Sequence, residues 1–569
     1  MKKFAKYTMM GALAACMAVA PTSCTDLDET LYDQLNDTNI DLTDENDVSL
    51  LLGAAVAQYR YLVEDWFGMF HLLEEGTDQY MVPKRIAVGW GDTYINIHQH
   101  NWSTELDQSY NPWSLAYQGI AYANLVLDNA PEDATEPFCQ ARFFRALTYY
   151  HLLDMFGNPP VQTTQNVEDG YLPEQMENGA EGVFNFCVEE MKYVKENIGE
   201  SNNFGWANKY AACMALAKLY LNKNVYIGTT GTDGYQLALA EVNEIIESGK
   251  YSLAANYSDN FRENIEECAE VIFAVPGDRT HTAQFGLQSY CFPQTGLEAY
   301  GSTAGGYNGS CAIPQWIKTY DDADQRKDDC WAYGEQHYAV KNADGTYTNN
   351  AGEPIPFSDD DWSGTGYLNY NIEVHSIDNP GAYQQEGARL HKYEIINGNN
   401  QGTTADDFPI FRYADALMIK AECLLRLGQD KETAAALVTE VRTRSFSSDA
   451  TKATRTVADL EGGSVYAYGH DEYQSEGYAD WSNHVTTSEG GADIELGGLL
   501  DDLGWEFCCE LHRRQDLRRF KMSDGRNVWN GKSWFCKDAT TSTTYDIWAI
   551  PSEVMKSNSK LVQNPGYSN

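Results

Sequence analysis

A chain of 569 residues is long enough for a large buried core or several domains, and its formal net charge of -43 argues against nucleic acid as a partner, since such a surface repels phosphate backbones. Aromatic residues make up 12%, with 37 Tyr and 13 Trp, which exceeds what a core needs and leaves rings for a binding surface. No segment after the N-terminus offers the roughly 20 apolar residues of a transmembrane helix.

The first 23 residues read as a lipoprotein-type signal peptide. Lys2, Lys3 and Lys6 form a positive start and residues 7–20 an apolar run too short to span a bilayer. Cys24 follows a cleavage zone and is the expected lipidation site. The run Pro21-Thr22-Ser23-Cys24 lacks the usual Leu three residues before the Cys. Leu13-Ala14-Ala15-Cys16 matches better locally, but it leaves an apolar region of only about nine residues, so Cys24 is preferred over Cys16. Residues 24–47 are polar and acidic and read as a tether.

Residues 48–260 read as an N-terminal helical part. Apolar periodicity predicts helices over 48–64, 111–129, 181–197, 208–223 and 235–248. Between the second and third of these lies a further helix. Thr135 and Pro137 mark its start, and Gly157 with Pro159-Pro160 its stop. Phe143, Ala146, Leu147, Tyr150 and Leu153 share one face of it, as core of a helical pair. Arg142 and Arg145 on the same helix are expected to hold neighbouring elements. Ala212, Ala215, Leu216 and Leu219 give the 208–223 helix a contact face that lets a neighbour approach closely. Helix pairs at this spacing resemble tetratricopeptide units.

Residues 261–569 read as a second, loop-rich part. Residues 271–275 form a strand ending at Pro276. The stretches 275–408 and 446–500 lack long periodic runs, and loops of that length usually carry function or a partner surface. A helix pair is predicted at 413–427 and 432–444, and one last helix over 500–520. The fold class is therefore mainly α, a scaffold of tetratricopeptide-like helix pairs with a loop-rich, irregular half packed on it.

Beyond Cys16 and Cys24, Cys139, Cys187, Cys213 and Cys423 fall in helical apolar patterns and read as core. Cys291, Cys311 and Cys330 lie in loop-like sequence and are the better disulfide candidates in an exported protein. There is no CxxC.

Enzyme motifs such as HExxH, GxSxG, Walker or GxGxxG are missing from the sequence. His98 and His100 could face one side of a strand, but eleven scattered His make a chance pair, and no metal is assigned. Glu506, Glu510 and Asp516 alternate with Arg513, Arg514, Arg518 and Arg519, which reads as ion pairs along one helix rather than a glycosidase carboxylate pair. No catalytic residue and no cofactor is assigned. The loops are more telling. Asp78, Arg85, Trp90 and Trp102 fall close together, and Tyr300, Tyr307 and Trp316 lie among Gly301, Gly305, Gly306 and Gly309. Flat rings pack on the C–H faces of sugars, and Asp, Asn and Arg pair with the hydroxyls. These seven residues are the candidate glycan contacts, with Trp102 and Trp316 alternatively core anchors under loops.

Several stretches, in order, resemble the SusD/RagB family of outer-membrane nutrient-binding lipoproteins. They begin with Cys24-Thr25-Asp26-Leu27-Asp28 and Ala141-Arg142-Phe143-Phe144-Arg145-Ala146-Leu147. The latter, together with Asp154-Met155-Phe156-Gly157-Asn158-Pro159-Pro160, is the most distinctive match. Residues 207–222, Glu270-Val271-Ile272-Phe273, Asp321-Asp322-Ala323-Asp324-Gln325-Arg326, the run from Phe408 to Leu417 with Lys420-Ala421-Glu422, the helix over 510–519, and the ending Gln563-Asn564-Pro565-Gly566-Tyr567 complete the set. The resemblance implies a non-catalytic, lipid-anchored protein on the extracellular side of the outer membrane. It implies capture of oligosaccharide or polysaccharide and delivery to a SusC-like TonB-dependent transporter, with peptide or another nutrient as the alternative cargo. It also implies that glycan sites lie where early loops meet the region after the middle strand, here residues 78–102 and 300–316.

Overall fold

The computed structural model describes residues 45–568, apart from Trp66, Ala87 and the stretches 130–134, 281–285, 359–362, 379–380 and 475–480. The signal segment, both candidate lipidation sites Cys16 and Cys24, and nearly all of the acidic tether lie outside the described residues.

The scaffold is a run of helices, each packed on its neighbour in sequence. α1 (Glu45–Glu64) lies on α2 (Asp107–Asn129), α2 on α3 (Thr135–Phe156), and α3 on α4 (Ala180–Asn197). α4 packs on α5 (Lys209–Leu221), and α5 on α6 (Asp233–Ser248). This nearest-neighbour order is that of tetratricopeptide-like arrays. The α1–α2 approach depends on Gly119, where a Cβ would sit 3.3 Å from the Gln58 Cβ. At the start of α5, the Asn208 side chain accepts from the Tyr210 and Ala211 N–H groups, both at 3.0 Å, satisfying donors that the first turn leaves open.

α3 begins and ends where its sequence predicts, with Gly157 in the left-handed region (φ 73°) closing it. The predicted stripe is buried, but so are Phe144, Tyr149, Leu152 and Met155 off that stripe. The helix is enclosed because α1, α2 and α4 all pack on it. Arg142 and Arg145 do hold a neighbour. Their guanidinium groups donate to the two Glu190 oxygens on α4 at 2.7 and 2.6 Å, and Arg145 also donates to Asn124 on α2.

β1 (Val271–Val275) pairs antiparallel with β2 (Phe408–Arg412), Phe408 opposite Val275 and Arg412 opposite Val271. This pair closes the long excursion between them, and closure entropy grows only slowly with loop length. The helix stack then resumes across the excursion. α7 (Tyr413–Leu427) packs directly on α6, and α8 (Lys431–Thr443) on α7.

The predicted single helix over 500–520 is two helices, α9 (Gly497–Glu506) and α10 (Arg513–Arg519). Between them Cys509 and Leu511 adopt left-handed φ of 57° and 67°, which a helix cannot continue through. Side chains from elsewhere hold this turn. The Tyr393 hydroxyl donates to the Cys509 carbonyl (2.8 Å), Lys392 Nζ to the Cys508 carbonyl (2.7 Å), and Glu74 accepts from the Leu511 N–H.

The break redirects the charges. Apart from Asp516 with Arg519, they pair across the molecule rather than along one helix. Arg514 and Arg518 reach Asp154 on α3, and Arg519 reaches Glu422 on α7. Glu506 takes Arg326, Arg412 and Arg444. Arg412 also reaches Glu270 (2.6 Å) and Glu510 (2.7 Å), Arg444 reaches Glu270, Lys392 reaches Glu510, and Arg326 pairs with Asp324. Cations and carboxylates balance in this buried cluster, as burial requires. Burial pushes the Glu506 carboxyl up, but Arg444, Arg412 and Arg326 outweigh it and hold the group at about 2.

The cysteines from Cys139 to Cys536 are free thiols. The candidates Cys291, Cys311 and Cys330 are buried in this state, Cys291 against the Tyr80 hydroxyl at 3.0 Å. Their loop-like sequence marked chain that is broken into short elements yet interior: Cys291 and Cys330 each end a short helix and Cys311 lies in a two-residue strand.

Candidate functional site

A short antiparallel pairing brings the two candidate segments together. Tyr80 lies opposite Ala312 and Met81 opposite Cys311, and the Ile313 N–H donates to the Gln79 carbonyl at 3.0 Å. The early loops and the stretch after β1 therefore meet in one region.

Within that region the predicted residues separate by depth. Asp78 is fully buried. Arg513 grips it with two N–H groups at 2.7 Å each, and the Tyr468 hydroxyl donates to it at 2.7 Å. Arg85 is interior and donates to the carbonyls of Gly309, Tyr383 and Glu386 at 2.8–2.9 Å, bracing the 309 and 383–386 loops. Trp102 is interior, 3.8 Å centroid to centroid from Trp548, with its N–H on the Tyr567 hydroxyl. Tyr300 is buried with its hydroxyl 2.9 Å from His391 Nδ1, and Trp316 has no exposed surface. These five are supports of the loops: each side chain is buried, so they present little to a ligand. Trp102 and Trp316 take the core-anchor alternative.

Trp90 and Tyr307 reach the surface and meet. The Trp90 indole N–H donates to the Tyr307 carbonyl at 2.8 Å, and the Tyr307 side chain is 60% exposed. Gly309 permits the arrangement, because a Cβ there would lie 2.5 Å from the Trp90 ring. The Tyr307 loop is pinned from below. The N–H groups of Tyr307 and Gly309 donate to the carbonyls of Ser289 and Tyr290, both at 2.7 Å. Tyr290 joins as a third, half-buried ring, 6.3 Å from Tyr307 at 34°. Tyr94 supports Trp90 edge-on at 5.3 Å, and His71 touches both Tyr94 and Tyr290. Burial, with Asp65 adding to it, pushes the Tyr290 hydroxyl above its usual range, so it stays protonated at neutral pH. Sequence reasoning missed Tyr290, which lies in aperiodic chain outside both candidate windows. Only the density of Tyr in that stretch marked it.

The resulting surface is an open aromatic platform, suited to stacking and hydroxyl hydrogen bonds. The His98 and His100 pair does not lie on a strand. His98 ends a short helix rather than a strand, and burial, then nearby Lys537, pushes its imidazole down to about 3. His100 lies against Trp529 at 4.0 Å. Cys213, Glu241 and Glu244 converge at ligand spacing, but Lys195 pairs with both carboxylates at 2.7 Å and Lys209 with Glu244.

A helical-repeat scaffold bearing a pinned aromatic platform defines a class of binding protein. The SusD family model matches residues 243–567, and a second, described as starch-binding associating with outer membrane, matches 47–221. The chain belongs to the SusD family. It is 25% identical over 456 residues to the starch-binding protein SusD of Bacteroides thetaiotaomicron, covering 75% of this chain and 72% of that one. A SusD superfamily protein from Parabacteroides distasonis shares the fold with TM-score 0.66 at 17% identity, over 93% of this chain and 100% of that one. A laminarin-binding SusD-like protein does so with TM-score 0.63 at 17% identity, over 92% and 100%.

Proposed function

We propose that this protein captures oligosaccharide or polysaccharide at the cell surface, on the platform of Trp90, Tyr290 and Tyr307, and delivers it to a SusC-like TonB-dependent transporter. The observation that carries the reading is the ring cluster itself, with Tyr307 exposed and Trp90 locked to it. Family membership supports a binding protein rather than an enzyme. The names of the relatives, one starch-binding and one laminarin-binding, support glycan as the cargo. Among the described residues no helix is long and apolar enough to cross a membrane. The attachment proposed is to the outer membrane, facing outward, through lipid at Cys24, on the strength of the signal-like start of the chain.

Affinity electrophoresis through gels containing starch, laminarin, mannan or xylan tests the reading. The parent chain is retarded by at least one polysaccharide, and a Trp90→Ala/Tyr307→Ala variant is not. Retardation by none of them, together with binding of peptides, would sink the glycan reading.

A further inference from the structure

A polar cavity of about 400 Å³ lies near the platform, walled by residues 396–401 and 403–405 together with Glu263 and Arg279. Two hydrogen bonds connect them. The Tyr307 N–H donates to the Ser289 carbonyl at 2.7 Å, and the Ser289 hydroxyl donates at 2.5 Å to the carbonyl of Gly402, which lies between the wall residues Gln401 and Thr403. The cavity wall is as firmly pinned as the platform. The Thr303 N–H and hydroxyl donate to Asn400 Oδ1 at 2.9 and 2.8 Å, the Ser302 hydroxyl to the Asn399 carbonyl, and the Gln401 N–H to Asn399 Oδ1 at 3.0 Å.

These bonds consume the Asn399 side chain and the oxygen end of Asn400. Among the described residues no partner takes the Asn400 amino group or the Gln401 side-chain amide, and both residues are exposed. A primary amide offers both donors and an acceptor, matching a sugar hydroxyl, which is also both. The charges at the wall are already paired, Arg279 with Glu263, so the unspent groups are neutral.

We infer that the glycan held on the platform continues into this cavity, where Gln401 and the Asn400 amino group contact its hydroxyls. The inference rests on the platform reading and makes the ligand an oligosaccharide long enough to span both places, not a single sugar.

Isothermal titration of the full chain tests this. The probes are oligosaccharides of two to eight units cut from whichever of starch, laminarin, mannan and xylan the parent chain retains. Affinity is expected to climb at least tenfold from the shortest to the longest. Gln401→Ala and Asn400→Asp, the latter keeping the oxygen that Thr303 uses, each remove at least threefold for the longest probe and leave the shortest unchanged. A length dependence that survives in both variants overturns the cavity contact while the platform stands. Undiminished binding by Trp90→Ala/Tyr307→Ala overturns the platform reading and this inference with it.

Discussion

At the scale of residues, burial decides which aromatic and charged side chains can serve a ligand. Asp78 and Arg513 illustrate the difference between an eye-catching residue and an available one. Removing the carboxylate leaves Arg513 buried and uncompensated, so Asp78→Ala is expected to cost about 3–5 kcal/mol in denaturant unfolding. Trp90→Ala should instead remove most ligand affinity. Gly309→Ala offers a finer test, because its added methyl drives into the Trp90 ring and displaces it without removing any ring from the platform. An affinity loss of about tenfold, or roughly 1.4 kcal/mol, is expected by titration, with the platform residues unchanged. The sequence pointed to two segments that the fold does bring together, because Trp and Tyr among Gly residues advertise rings on constrained loops. It could not rank those rings. Whether Trp102 faces sugar or Trp548 depends on contacts made hundreds of residues away, which no local pattern encodes.

At the scale of elements, the helices from α1 to α8 were legible because apolar periodicity, caps and stop signals agree with one another. The Gly157 stop and the Asn208 cap are local instructions. The break between α9 and α10 was not legible, since helix-forming residues continue through it and the left-handed Cys509 and Leu511 are held by Tyr393, Lys392 and Glu74 from distant chain. The same long-range ties make the fold sensitive to acid. Glu506 and Glu422 are each held at about 2 in the folded chain, against an ordinary 4.5. A depressed carboxyl contributes stability that is present above the unfolded value and lost as pH falls through the folded one. Each contributes on the order of 3 kcal/mol, lost between about pH 4.5 and 2. Unfolding followed by circular dichroism should show stability falling steeply over that window. In the central helix, Ala215→Leu should cost about 1–3 kcal/mol, because that position is fully enclosed where α5 meets its neighbours.

At the scale of the whole molecule, the helix stack is continuous across an excursion that begins and ends at one strand pair. The stack supplies rigidity, while the excursion together with the early loop that carries Trp90 supplies the platform, and the excursion with Glu263 walls the cavity beside it. The proposed ligand is neutral, and the platform would meet it with rings and hydroxyls rather than with charge. Affinity should therefore change little with moderate salt, since screening acts mainly on charged contacts. The account is tested most directly by titrating the retained polysaccharide's oligosaccharides into the parent chain and into Trp90→Ala/Tyr307→Ala, with thermal unfolding of both recorded alongside. Loss of binding in a variant that still unfolds cooperatively near the parent's midpoint is the predicted result. Binding that persists in that folded variant would contradict it.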